Sequence, residues 1–154
     1  MKKLEALINE LEVNIPKQGL LNPNVSRSSV GWHIEHALLT LNVIIDAIKR
    51  SNPAEYKWSF NVKRTFVFIM NKIPRGRVQA PAVVRPKTNF DIHTLNRHIA
   101  HSRANLKMLE DVDGNAFFEH PFLGKMNKSP AIRFLRLHTA HHVHIIRDIV
   151  KNSG

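Results

Sequence analysis

Leu137-His138-Thr139-Ala140-His141-His142-Val143-His144 lies inside an apolar-periodic run, residues 131–150, whose spacing predicts a helix. Ser129 offers an N-cap, and Pro130 suits the first helical position, where its missing N–H costs nothing. Residues four apart share a helix face, so His138 and His142 project side by side about one turn apart. Two imidazoles so placed can hold one metal ion between them. His141 and His144 form a competing pair. His144, however, falls beside Arg133, Arg136 and Arg147, whereas His138 and His142 share a broad inward side with Ile145, Ile146 and Ile149. A third ligand must come from elsewhere, and His36, on an earlier helix, is the best candidate. The resulting expectation is a small helical bundle with a metal site at His36, His138 and His142.

Outward from that stretch, the chain reads as helices separated by Pro- and Gly-marked turns. Leu4, Leu7, Ile8 and Leu11 predict a short amphipathic helix over 1–13, ended by Pro16 and Gly19. Ser28 or Ser29 caps a second helix, which runs to about Arg50 and stops at Ser51-Asn52-Pro53. Its apolar set is wider than one stripe, as a helix buried on more than one side requires. His36 sits on its mostly apolar face, about 10 Å from the cap, while His138 and His142 sit about 13 and 20 Å into theirs. Packing of the two helices in either sense brings these levels close.

Residues 58–73 predict a third helix, with Phe60, Phe66, Val67, Ile69 and Met70 as its apolar content. A long irregular stretch follows at 74–89, with Val78, Ala80, Ala82, Val83 and Val84 available to pack over the bundle at the site mouth. Thr88 and Asp91 resemble a capping box that opens a fourth helix to about Glu110. Its His98 and His101 are three apart but lie among Arg97 and Arg103, so exposed histidines explain them better than a metal does. Asp113-Gly114-Asn115 is a turn, and 117–127 is a loop too apolar to be freely solvated. No strand run shows convincing alternation, so the class is all-α with about five helices in one domain, 1–154.

The chain has 154 residues, no cysteine and a formal net charge of +11. Lack of cysteine excludes disulfides, thiolate metal sites and cysteine nucleophiles, and it fits the cytoplasm. No segment resembles a signal peptide or a membrane span, so no membrane role is expected. Charge is uneven: residues 57–109 carry eleven basic side chains and one acid, Asp91, while the flanking thirds are nearly balanced. That field could serve nucleic acid, a membrane surface or an anionic small molecule, or merely aid solubility.

Several motifs resemble the DinB/YfiT-like superfamily. Ser29-Val30 with His36 is similar to the start of that family's second helix. His120-Pro121-Phe122-Leu123-Gly124-Lys125-Met126 resembles a His-Pro-x-x-Gly segment found in one branch, and His138-Thr139-Ala140-His141-His142 resembles the His-x-x-His-His signature of the last helix. The likeness covers most of the chain from about residue 26. It departs at Val143-His144, where Gly-Gln is common, and in the basic middle. The resemblance implies a four-helix bundle with a long crossover between the second and third helices, often dimeric. It also implies a divalent metal, zinc or nickel, held by His36, His138 and His142. Characterised relatives include transferases and isomerases that use low-molecular-weight thiols.

Three neutral imidazoles leave a coordination position open, the pattern of a catalytic rather than a structural metal. Such a metal activates a bound water or thiol for attack, which suits hydrolysis or thiol transfer. A thiol must then arrive with a cofactor, whose carboxylates the basic middle can bind. The sequence singles out no catalytic residue. Glu35 and Glu119 are carboxylate candidates for a base or for orienting a ligand, and His120 either lines the pocket or anchors its loop. The rival class is a nucleic-acid-binding module using residues 57–109, and a third reading is a non-catalytic family member that holds a metal without turnover, or an interaction protein without metal. Against the nucleic-acid class, Trp58, Phe60, Phe66, Phe68 and Phe90 are few and mostly needed for the core.

Overall fold

The computed structural model describes residues 1–75, 81–86 and 91–152. Among them the chain is mostly helical, with α1 (Lys2–Val13), α2 (Val30–Arg50), α3 (Val62–Met70), α4 (Ile92–Glu110) and α5 (Lys128–Lys151). Short 3-10 turns occur at Ile15–Lys17, Pro53–Glu55 and Ala82–Val84, and an antiparallel hairpin of β1 (Phe117–His120) and β2 (Gly124–Asn127) leads into α5.

α2 starts where Ser29 accepts a hydrogen bond from the Trp32 N–H at 3.3 Å. Its Val30, Ile34, Leu38, Leu41, Ile45 and Ile48 are essentially sealed from solvent. Each such side chain contributes about 1.5–3 kcal/mol of burial free energy, and the set places α2 in the middle of the molecule. α2 packs along both α4 and α5, and α1 lays Leu4, Ile8 and Leu11 against the same two helices. Arg103 of α4 forks onto Glu12 of α1 and also reaches Glu5 and Asn9. Its guanidinium holds the Glu12 carboxyl below the usual range.

Between α2 and α4 lie four departures from the sequence reading, two of them in α3. That helix is shorter than the expected 58–73. Asn61 caps it by accepting from the Arg64 N–H at 2.9 Å, and Asn71, left-handed at φ 49°, ends it. Its apolar side is also turned outward, with Ile69 77% exposed and Phe66 and Met70 exposed too, and Trp58 and Phe60 in the segment before it are likewise exposed. The inward side carries Arg64, Val67 and Phe68. Arg64 holds that orientation because its guanidinium donates to the carbonyls of Ser59, Leu123 and Lys125, binding α3 to the hairpin. In the long connection, the turn at Ala82–Val84 packs on α2 with Val84 buried and Val83 exposed. The packing expected of Val78 and Ala80 lies outside the described residues. α4 is capped by Asp91 itself, which accepts from the Thr94 N–H at 2.7 Å, and Thr88 is likewise outside the described residues.

Residues 117–127 form a hairpin rather than a loop. Four residues per strand are too few to show alternation in sequence, yet Phe118 and Met126 are buried partners across it. His120 shapes its tip: Nδ1 accepts from the N–H groups of Phe122 and Leu123 at 3.1 and 3.3 Å. Gly124 then takes φ +69°, which favours glycine. Because β2 runs straight into α5, the helix starts at Lys128, with Asn127 rather than Ser129 at the cap position and making no side-chain cap bond. Pro130 still falls in the first turn, where N–H groups lack helical partners. No described helix is long and apolar enough to cross a membrane.

Candidate metal centre

α2 and α5 bring His36, His138 and His142 together. One ring nitrogen from each lies within 4.8 Å of the other two. The ring centroids are 5.0 Å apart for His36 and His138, 4.7 Å for His36 and His142, and 4.6 Å for His138 and His142. One turn of α5 supplies two rings on one face, and the close packing of α2 supplies the third. His144, of the competing pair, is exposed, and His141 is half-buried beside His142.

Hydrogen bonds on the outer side of two rings determine which nitrogen is left for a ligand. The Nδ1 of His36 donates to the Val84 carbonyl at 2.7 Å, which leaves Nε2 with its lone pair. The Nδ1 of His142 lies 3.0 Å from Nδ1 of His33, leaving Nε2 of His142 on the other side of the ring. The Nδ1 of His138 is buried and has no hydrogen-bond partner among the described residues. Leaving a buried polar atom unpaired costs about 1–3 kcal/mol. The three ring nitrogens within 4.8 Å of one another form a donor set that fits a divalent metal.

Burial keeps the cluster uncharged. It lowers the His36 pKa, against the opposing pull of the Val84 carbonyl. Burial, reinforced by the neighbouring imidazoles, holds His138 and His142 well below the usual histidine value. Neutral imidazole is the form able to ligate a metal. Around the cluster, Trp32 stacks on His36 with centroids 5.0 Å apart and planes at 19°. Phe134 packs 5.7 Å from His138 and 5.0 Å from His120.

The other sequence candidates divide. His120 is the turn anchor described above and stands one ring away from the cluster, behind Phe134. Glu35 is buried, its Oε2 has no partner among the described residues, and burial raises its pKa. Glu119 lies on the exposed face of β1, opposite Phe118 and His120. His98 and His101 join no three-ligand cluster among the described residues, and His101 faces Asn105 at 3.3 Å.

The residue that the sequence reading passed over is His33. It is buried, touches His142, and lies 2.9 Å from the Ser26 hydroxyl through Nε2. Its spacing of three from His36 was the available signal, because that spacing places both rings on adjoining parts of one helix face. Comparison with protein-family models, with curated proteins and with solved structures finds no match for the chain.

Proposed function

We propose that this protein is a divalent-metal-dependent enzyme of the DinB-like kind, with His36, His138 and His142 as the metal ligands and zinc or nickel as the metal. The observation that carries the reading is the convergence of three uncharged imidazoles, His36 and His142 buried and His138 partly so, with the Nδ1 atoms of His36 and His142 already engaged on the outer side. The mutual packing of α1, α2, α4 and α5, with residues 51–91 as the long connection from α2 to α4, supports the four-helix bundle that the motifs imply.

When bound, the metal would supply Lewis acidity and lower the pKa of a coordinated water or thiol. The chain's own part is to hold three neutral nitrogens, to wall the site with Trp32 and Phe134, and to cover it with the segment bearing Val84. Without cysteine, a thiol nucleophile would come from a low-molecular-weight cofactor. Thiol transfer and hydrolysis are therefore the reaction classes proposed, with the cytoplasm as the site of action.

Metal analysis of the purified protein tests the proposal. About one equivalent of divalent metal is expected, lost in His138→Ala and His142→Ala and retained in His144→Ala. Equal loss in His144→Ala would move the site to the other face of α5.

One observation favours the nucleic-acid reading: Trp58, Phe60 and Phe66 are exposed, and Lys57 and Lys63 neighbour them in the chain. Exposed aromatics beside cations are what base stacking uses. Three cations of the basic middle are engaged elsewhere, however: Arg64 on carbonyls, Arg75 on Asp148, and Arg103 on α1. Binding to single-stranded DNA or RNA that falls steeply with salt, by protein free of metal, would reverse the preference.

A further inference from the structure

We infer that His33, together with Ser26, forms a positioning relay that holds the Nε2 lone pair of His142 toward the metal; the inference rests on the metal reading above. His33 Nδ1 lies 3.0 Å from His142 Nδ1, and His33 Nε2 lies 2.9 Å from Ser26 Oγ. Two facing Nδ1 atoms share one proton, so the contact has two tautomeric forms. If His33 donates, His142 carries its proton on Nε2 and presents no lone pair to a cation. If His142 donates, its Nε2 is free to ligate, and His33 must hold its own proton on Nε2.

Ser26 can serve the second form: its Oγ can accept from His33 Nε2–H while also accepting from the Ser28 N–H at 3.1 Å. A hydroxyl can equally donate, so the selection between the two forms comes from the metal, which needs the His142 Nε2 lone pair, and His33 and Ser26 then hold the selected tautomer in place. His33 is not itself a fourth ligand, because its Nδ1 is turned onto His142 and it falls outside the group whose ligand atoms lie within 4.8 Å of one another. Its burial forces it to find a partner, and its partner is the outer nitrogen of a ligand, the place where metal sites keep orienting groups.

The test is cobalt(II) affinity, measured by visible absorption and zinc competition, in wild type, His33→Ala, His33→Asn and Ser26→Ala. His33→Ala is expected to bind about 10- to 100-fold more weakly at unchanged stoichiometry. His33→Asn should recover most of that loss, because the amide oxygen can accept from His142 Nδ1–H. Ser26→Ala, which leaves every ring in place, should weaken binding several-fold. In the zinc-loaded wild type, nitrogen-15 NMR of the imidazoles should show the His142 proton on Nδ1. Equal affinity across the four proteins, or a proton on His142 Nε2 in the loaded state, overturns the relay while leaving the metal site standing. Loss in His33→Asn as deep as in His33→Ala makes His33 a ligand instead. Wild type that binds no cobalt or zinc overturns the underlying metal reading. Should His33→Ala fail to fold, His33→Asn and Ser26→Ala decide by the same comparison.

Discussion

His120 shows how one partly buried ring ties local geometry to pH. Its Nδ1 must remain an acceptor to hold the Phe122 and Leu123 amides, and burial lowers its pKa from 6.5 to about 4. Protonation would place a third N–H against two others. Because the folded pKa is depressed, the unfolded chain binds more protons between about 4 and 6.5. The stability due to a neutral His120 is therefore complete above pH 6.5 and declines as pH falls toward 4. Urea midpoints measured from pH 7.5 to 4.5 should drop across that window. A flat profile would show that the ring is not held neutral. The functional residues differ in how visible they were at this scale. His138 and His142 could be read from helical spacing, whereas His36 was a candidate only from its mostly apolar face and from what the family resemblance implies. His33 could not be ranked, since its partner, the outer nitrogen of His142, lies 109 residues away in sequence and is set by helix packing.

At the scale of elements, α3 and the hairpin test the structure against the sequence reading. Apolar residues at helical spacing predict a buried stripe, and in α1, α2 and α5 that inference located the core, including Leu4, Ile45 and Ile149. In α3 the same pattern placed Phe66 and Ile69 inside, whereas both are exposed. Periodicity shows that a helix has two sides. It does not show which side meets the protein when a buried arginine can satisfy distant carbonyls. The hairpin escaped for a related reason: its four-residue strands are too short to show alternation, and the Arg64 bonds to Leu123 and Lys125 that hold it are tertiary. Two substitutions should therefore invert the usual expectation. Phe66→Ala should change unfolding free energy by no more than about 0.5 kcal/mol, as an exposed site does. Arg64→Ala should cost about 2–4 kcal/mol, because charge-assisted bonds to three carbonyls vanish, the one to Leu123 in a buried setting. Arg64→Lys should recover less than half of that, since an ammonium cannot fork to three carbonyls. Urea unfolding of the three variants settles the order, and a Phe66→Ala cost near that of a core deletion would put α3 the other way round.

For the molecule as a whole, metal binding and folding stability must be linked, because the three imidazoles converge only when α2 and α5 are packed. A ligand that binds only the folded chain adds about 2.7 kcal/mol at a free concentration one hundred times its Kd. For a chain of this size, 1 kcal/mol moves the thermal midpoint by about 2–4 °C. Saturating zinc or nickel should therefore raise the melting temperature of metal-free protein by roughly 5–11 °C. His142→Ala should abolish the rise and His144→Ala should keep it, since only the former belongs to the cluster. The effect should also have a characteristic pH range. Protons compete with metal for imidazole, and ordinary histidines begin to lose that competition near 6.5. Burial holds His138 and His142 well below that value, so protons compete less here than at exposed histidines. The metal-induced shift should accordingly persist at pH 6, where a surface histidine pair would have largely released its ion. A shift at pH 7.5 that vanishes by pH 6.5 would indicate binding at exposed rings such as His144, and the interior cluster would lose its claim to the metal.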